Sequence, residues 1–229
     1  GFVGSALVAR LAAQGEAVVV PVRRRAPARH LILLPTVDVV EADVHDPATL
    51  AALVRGADAV VNLVGILNES GRTTFERVHA DLTRGTVDAC RAGGVRRLLH
   101  MSALNADPAG PSRYLRSKGE AEAAVVASGL AWTIFRPSVI FGAGDSFLTL
   151  FARLARALPV IALAAPDARF QPVHVGDVVT AFARSLDLPS TEGRCFDLCG
   201  PTVYTLRELV RFAAETSGAV RPIVPLRGA

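Results

Sequence analysis

The sequence predicts an α/β protein with a doubly wound parallel sheet over residues 1–140 and a smaller substrate-side lobe over 141–229. Three observations predict it. Short apolar runs, nearly continuous in character, alternate with segments of helical period, as strands covered on both faces should. Glycines close the helical segments. Beyond residue 135 proline and glycine thicken and the alternation lapses.

The first apolar run, 17–22, follows a helical segment at 5–13 that Gly15 closes. A second strand at 37–40 leads to a helix at 47–55, opened by Asp46 with Pro47 and closed by Gly56. Strands at 59–64 and 97–101 bracket a helix at 75–92 that ends at Gly93 and Gly94. A helix at 114–128 closes at Gly129 and feeds a strand at 131–135, where Trp132 is expected in the core. Such strand–helix alternation implies right-handed parallel crossovers. The later part predicts helices at 146–158, 177–186 and 205–217 and a strand over 170–175.

The chain has 229 residues, 51% hydrophobic and 20% charged, which excludes a disordered polymer. No charge-free apolar stretch reaches the ~18 residues of a membrane span. Three cysteines, Cys90, Cys195 and Cys199, are too few and odd in number for a disulfide framework and fit a reducing compartment. Cys195 and Cys199 read as buried small residues on one strand face. The chain begins at Gly1 rather than methionine, so a preceding segment is expected. A net charge of +4 without a basic run interleaved with aromatics predicts no nucleic-acid partner. His79, His100 and His174 are scattered without metal-ligand spacing, so no metal is expected. Asp177 reads as a helix cap. Of 25 cationic residues only Lys118 is a lysine, which suggests a role needing a compact ammonium with an adjustable pKa.

The opening Gly1-Phe2-Val3-Gly4, followed at once by an apolar helix, suits a dinucleotide-binding turn. Glycine permits close approach of the backbone, and the helix N-terminus faces phosphates. About 20 residues on, where an acid selects NAD, stand Arg23, Arg24 and Arg25. They suit a 2′-phosphate and hence NADP, or else form a solvated basic loop. Asp43 and Val44 are candidates for the adenine, and Asn62, Leu63, Val64 and Gly65 for a strand end along the cofactor. Tyr114 and Lys118 stand four apart on one helix face, where an ammonium favours phenolate and fits the phenol for acid–base work.

The Gly1–Gly4 turn, the Asn62–Gly65 strand end, Ser102 after a strand and Tyr114-x-x-x-Lys118 together resemble the extended, atypical short-chain dehydrogenase/reductases, a group similar to epimerases and dehydratases. The stretches 100–105, 112–122 and 136–147, with 171–177 and 200–209, resemble more closely the nucleotide-binding accessory subunit of respiratory complex I and its bacterial relatives. The resemblance implies a Rossmann-type fold and bound NADP, with NAD the alternative. It implies Tyr114 as acid/base, Lys118 on the nicotinamide ribose and against the tyrosine, and Ser102 on the substrate oxygen. It places Arg136, Pro137 and Ser138 near the nicotinamide and the 141–147 loop over the substrate mouth. Ala103, where the family often has a hydroxyl, and the short interval from Ser102 to Tyr114 depart from epimerase and dehydratase chemistry.

Two functions are therefore expected. One is an NADP-dependent oxidoreductase acting on a small carbonyl or alcohol. The other is a non-catalytic NADP(H)-binding subunit with a protein partner in a respiratory complex. The expected location is cytoplasmic, compatible with peripheral attachment at the inner face of a membrane.

Overall fold

A computed structural model describes residues 1–226 and divides into two compact units. The first comprises Gly1, residues 3–137 and residues 179–197; the second comprises Phe2, residues 138–178 and the residues from Leu198 on.

In the first unit, β1 (Val18–Val22) pairs in parallel with β2 (Val37–Glu41). A separate sheet places β3 (Ala59–Asn62), β4 (Arg97–Met101) and β5 (Ala131–Pro137) side by side in parallel, with β10 (Arg194–Leu198) beyond β5. The connecting helices are α1 (Phe2–Ala13), α2 (Pro47–Val54), α3 (Leu82–Gly93) and α4 (Arg113–Val126). Asp46 caps α2 by accepting from the Thr49 N–H at 2.9 Å, and Ser112 caps α4 by accepting from Leu115 at 3.2 Å. Gly94 (φ +74°) and Gly129 (φ +72°) adopt the left-handed geometry that ends α3 and follows α4.

Helices cover the strands. Leu50 and Val54 of α2 pack with Leu82 and Cys90 of α3, while Val87, Leu98, Val125 and Ile134 join α3, α4 and the sheet. Trp132 packs at the margin of the latter group and is only partly buried. On β1 and β2, Val8, Ala28, Leu31 and Val39 form a further core.

Helices α1 and α3 depart from expectation. Helix α1 begins at Phe2 rather than residue 5, so Gly1 is its N-cap and Gly4 lies in its first turn. The segment expected as one helix over 75–92 opens with a π-helical turn, Glu76–Asp81, before α3. Such wide turns often mark functional sites because they redirect a side chain.

Helix α6 (Val175–Leu186) contributes its residues from Val179 onward to the first unit, and Phe182 lies 4.3 Å from Phe135 between ring centroids. The chain then returns along β10. Cys195 is exposed and Cys199 partly so, which corrects the expectation of two buried cysteines: β10 is the edge of its sheet, so part of its surface faces water. Cys90 is buried.

The second unit contains β6 (Ile140–Phe141), α5 (Phe147–Ala157), β7 (Ile161–Leu163), β8 (Arg169–Phe170), β9 (Val173–His174), β11 (Tyr204–Thr205), α7 (Leu206–Thr216) and β12 (Ile223–Pro225). Ala155, Ile161, Leu163, Val210 and Ala214 form its core. The strand expected over 170–175 is broken in two at Pro172, which has no N–H for a ladder. β8 pairs with β11 and β9 with β6.

Candidate functional site

Tyr114 and Lys118 lie one turn apart on α4. The Tyr114 ring meets Phe75 edge-on at 5.7 Å and His79 edge-on at 5.6 Å between centroids. Lys118 is only 3% exposed, and its Nζ donates to the Met101 carbonyl at the end of β4, 3.1 Å away. Burial lowers the Lys118 pKa to about 8, against the opposing pull of Glu122, so the ammonium persists at neutral pH. Burial raises the Tyr114 pKa. This corrects the expectation of a phenol shifted toward phenolate. The ring is enclosed by Phe75 and His79, and the Lys118 ammonium is turned toward a carbonyl, so the phenol stays protonated at neutral pH.

The strand end after β3 approaches the same pair. A Cβ built on Gly65 would lie 3.3 Å from the Lys118 Nζ and 3.6 Å from His79 Nε2, so a side chain there would crowd both. Asn62 shapes this turn rather than offering its amide outward. Its Oδ1 accepts from the Val64 N–H at 3.1 Å and its Nδ2 donates to Thr83 Oγ1 at 3.1 Å. Leu63 closes on α1, where a Gly4 Cβ would sit 3.8 Å from its Cδ1. Val64 is exposed.

Ser102 lies just past β4, 3% exposed, and its Oγ has no hydrogen-bond partner among the described residues. The same holds for both ring nitrogens of His100, whose pKa burial, then Lys118 and His79, depress to about 3. His79 escaped the sequence reading. It is buried and its pKa is depressed to about 4, by burial first and then by Lys118. A lone histidine in a helical segment carries no spacing signal, so only the fold shows that it reaches the site.

The remaining predicted residues divide. Gly1 is the N-cap of α1 and makes no side-chain cap hydrogen bond, and a helix N-terminus favours an anion. Phe2 belongs to the second unit and Val3 is buried in the first. Arg23 and Arg24 are exposed just past β1; Arg25 donates its backbone N–H to Glu41. Asp43 accepts from the His45 N–H at 3.0 Å and, with Thr49 and Leu53, lines a groove of about 470 Å³; Val44 packs on the α2–α3 core.

Arg136 pairs with Glu122. Its Nε donates to Glu122 Oε1 at 2.8 Å and its second nitrogen to Oε2, and that bond raises its pKa. Pro137 is buried, and Ser138 lies in the second unit, its N–H bonded to the Leu198 carbonyl at 3.0 Å. Among the described residues no group of three or more His, Cys, Asp or Glu side chains is placed to hold a metal. No helix among them is long and apolar enough to cross a membrane.

A helix N-terminus without a side-chain cap, a buried ammonium and an orphaned serine hydroxyl suit a nicotinamide dinucleotide. The residues present therefore fit that cofactor. Residues 1–145 match the family described as NAD(P)H-binding. The chain belongs to the NAD(P)H-binding family.

Among relatives of this NAD(P)H-binding chain, the NADH dehydrogenase [ubiquinone] 1 alpha subcomplex subunit 9 of Arabidopsis thaliana is 35% identical over 218 residues, 91% of this chain and 54% of that protein. The chain thus spans about half the length of this complex I relative. The ceramide reductase of Caulobacter vibrioides is 33% identical over 99% of this chain and 71% of that protein. By structure, the dTDP-glucose 4,6-dehydratase DesIV of Streptomyces venezuelae, with NAD bound, superposes with a TM-score of 0.83 at 23% identity, covering 99% of this chain and 82% of that one. The NAD complex of UDP-glucose 4-epimerase from Thermus thermophilus also gives 0.83, at 24% identity over 99% and 84%. These likenesses establish the Rossmann-type fold expected from the sequence.

Proposed function

We propose that this chain is an NADP(H)-dependent oxidoreductase domain that reduces a carbonyl or oxidises the corresponding alcohol. The observation that carries the reading is the close approach of the turn after β3 to the buried Lys118 ammonium, one helical turn from Tyr114. The unpartnered Ser102 hydroxyl, next in sequence to the Met101 whose carbonyl Lys118 binds, supports it. When bound, the reduced nicotinamide supplies a hydride. Tyr114, protonated at neutral pH, gives its phenolic proton to the carbonyl oxygen, and Ser102 Oγ orients that oxygen by a hydrogen bond. The phenolate left behind is favoured by the Lys118 ammonium one turn away and regains a proton from solvent. Lys118 also has hydrogens for the nicotinamide ribose. Arg23 and Arg24, exposed past β1, suit a 2′-phosphate and support NADP over NAD.

The ceramide reductase relative supports catalysis, and a long-chain amphiphile as the substrate class. A second reading has its own support in the complex I relatives and in Ala103: a non-catalytic NADP(H)-holding subunit docked in a respiratory assembly.

Turnover of NADPH with a panel of ketones and aldehydes, long-chain amphiphiles among them, and of NADP+ with the corresponding alcohols separates the two. Tyr114→Phe is expected to lower kcat by about a hundredfold or more with cofactor affinity kept. The double variant Arg23→Ala/Arg24→Ala is expected to weaken NADPH and leave NADH unchanged. A wild-type protein that binds NADPH tightly yet turns over no carbonyl supports the accessory reading.

A further inference from the structure

Three segments of the site meet on one imidazole that the proton transfer does not use. His79, in the π-helical turn, accepts the Ile66 N–H at its Nε2, 3.0 Å away. That bond fixes the tautomer: Nε2 carries the lone pair, so Nδ1 carries the hydrogen and donates to Ser117 Oγ at 2.8 Å. Ser117 Oγ in turn donates to the Tyr114 carbonyl at 2.8 Å. The bonds run in series from the turn after β3, through the ring, into the first turn of α4. The ring is also stacked on Phe75 at 5.6 Å, with the planes 23° apart, and is 1% exposed, so no water competes for its nitrogens.

We propose that His79 is a positioning residue, an imidazole latch that ties the cofactor-lining turn at 62–66 to the Tyr114 helix. The inference rests on the reading of Tyr114 and Lys118 as the reacting pair. Gly65 lets the latched turn come close: its backbone sits where a Cβ would press on both Lys118 Nζ and His79 Nε2. Loss of the latch leaves the Ile66 N–H without its acceptor and lets the turn move relative to the phenol and the ammonium. The π-helical turn fits this role, since its extra residue per turn alters which side chains face inward from the 76–81 segment.

Hydrogen exchange of the unliganded full chain, read at Ile66, and NADPH titration by fluorescence test the latch in wild type, His79→Phe and His79→Gln. His79→Phe keeps a ring between Phe75 and Tyr114 but can neither accept nor donate. It is expected to speed Ile66 exchange about tenfold and to weaken NADPH about tenfold, with β4 and α3 exchanging as in wild type. Glutamine, whose amide oxygen can take the Ile66 N–H, is expected to restore both within about threefold. Unchanged Ile66 exchange in His79→Phe, or faster exchange with unchanged NADPH affinity, overturns the proposal. If His79→Phe unfolds, Ser117→Ala decides: removing the hydroxyl relay is expected to weaken NADPH about threefold, and no change overturns the latch. A wild type that binds no NADPH defeats the cofactor reading alone, and Ile66 exchange still decides the latch.

Discussion

His79 and His100 lie uncharged in the interior, and this couples the fold to pH. Their folded pKa values, about 4 and about 3, lie below the ordinary 6.5. Between pH 6.5 and about 4 the unfolded chain therefore binds more protons than the folded one, and stability falls as pH drops through that window. The His79 shift alone corresponds to on the order of 3 kcal/mol once both states are protonated. Urea midpoints are expected to decline steadily from pH 7 to pH 4.5, and less steeply in His79→Phe; a flat series would remove both histidines from the linkage. Lys118 acts at the other end. Its folded pKa of about 8 lies below the ordinary 10.5, so it adds stability as pH rises between those values. The tyrosine–lysine spacing was legible because residues four apart share a helix face in any context. The phenol's raised pKa was not, since its cause is enclosure by Phe75 and His79, which are remote in sequence from Tyr114.

Helix α4 is placed by a close backbone approach as well as by its buried face. A Cβ on Gly119 would lie 2.3 Å from the Pro108 backbone nitrogen and 2.4 Å from the Asp107 carbonyl carbon, neither of which belongs to a flexible side chain. Gly119→Ala is expected to push the 106–110 loop away, destabilise the protein by about 1–3 kcal/mol and weaken NADPH, because Lys118 adjoins the displaced contact. Gly85→Ala is the control. Its Cβ would meet only the Leu50 Cδ2 at 3.6 Å, and its urea midpoint is expected at or above that of wild type. Equal losses in the two variants would mean that helix propensity, not the loop contact, sets the effect. The helix at 114–128 was predicted within a few residues because its period and closing glycine are local. That Gly119 marks a backbone contact was invisible, since glycine in a helix has no unique reading.

At the scale of the first unit, one buried arginine fastens the returning segment 179–197 to the sheet. Arg97 of β4 donates to the Ala131 carbonyl at 2.7 Å, Thr133 Oγ1 at 2.9 Å and Thr191 Oγ1 at 3.0 Å, and also to the Ser185 carbonyl. Burial pushes the guanidinium pKa down, with Glu192 opposing. Arg97→Leu keeps apolar volume but leaves these acceptors unpaired, and is expected to lower stability by about 3 kcal/mol. It is also expected to open the 186–194 segment to limited proteolysis before the parallel strands are cut. Wild-type cleavage kinetics in that variant would show that β10 is held by its strand pairing alone. Arg97 stands at the start of a run that the sequence marks only as a strand, and its partners lie 34 to 94 residues away.

The sequence by itself determined what depends on neighbours along the chain: the alternation of strands and helices, the Asp46 cap and the closing glycines, and a phenol and an ammonium on one helix face. These follow from backbone periodicity and φ preferences, which act within a few residues. Tertiary structure decided which polar groups remain available. Arg136 pairs with Glu122, Asn62 bonds to its own turn, His79 takes the Ile66 N–H, and Ser102 keeps an unpartnered hydroxyl among the described residues. Each outcome is a competition for hydrogen bonds among groups that meet only when the chain folds, so no local pattern records its result.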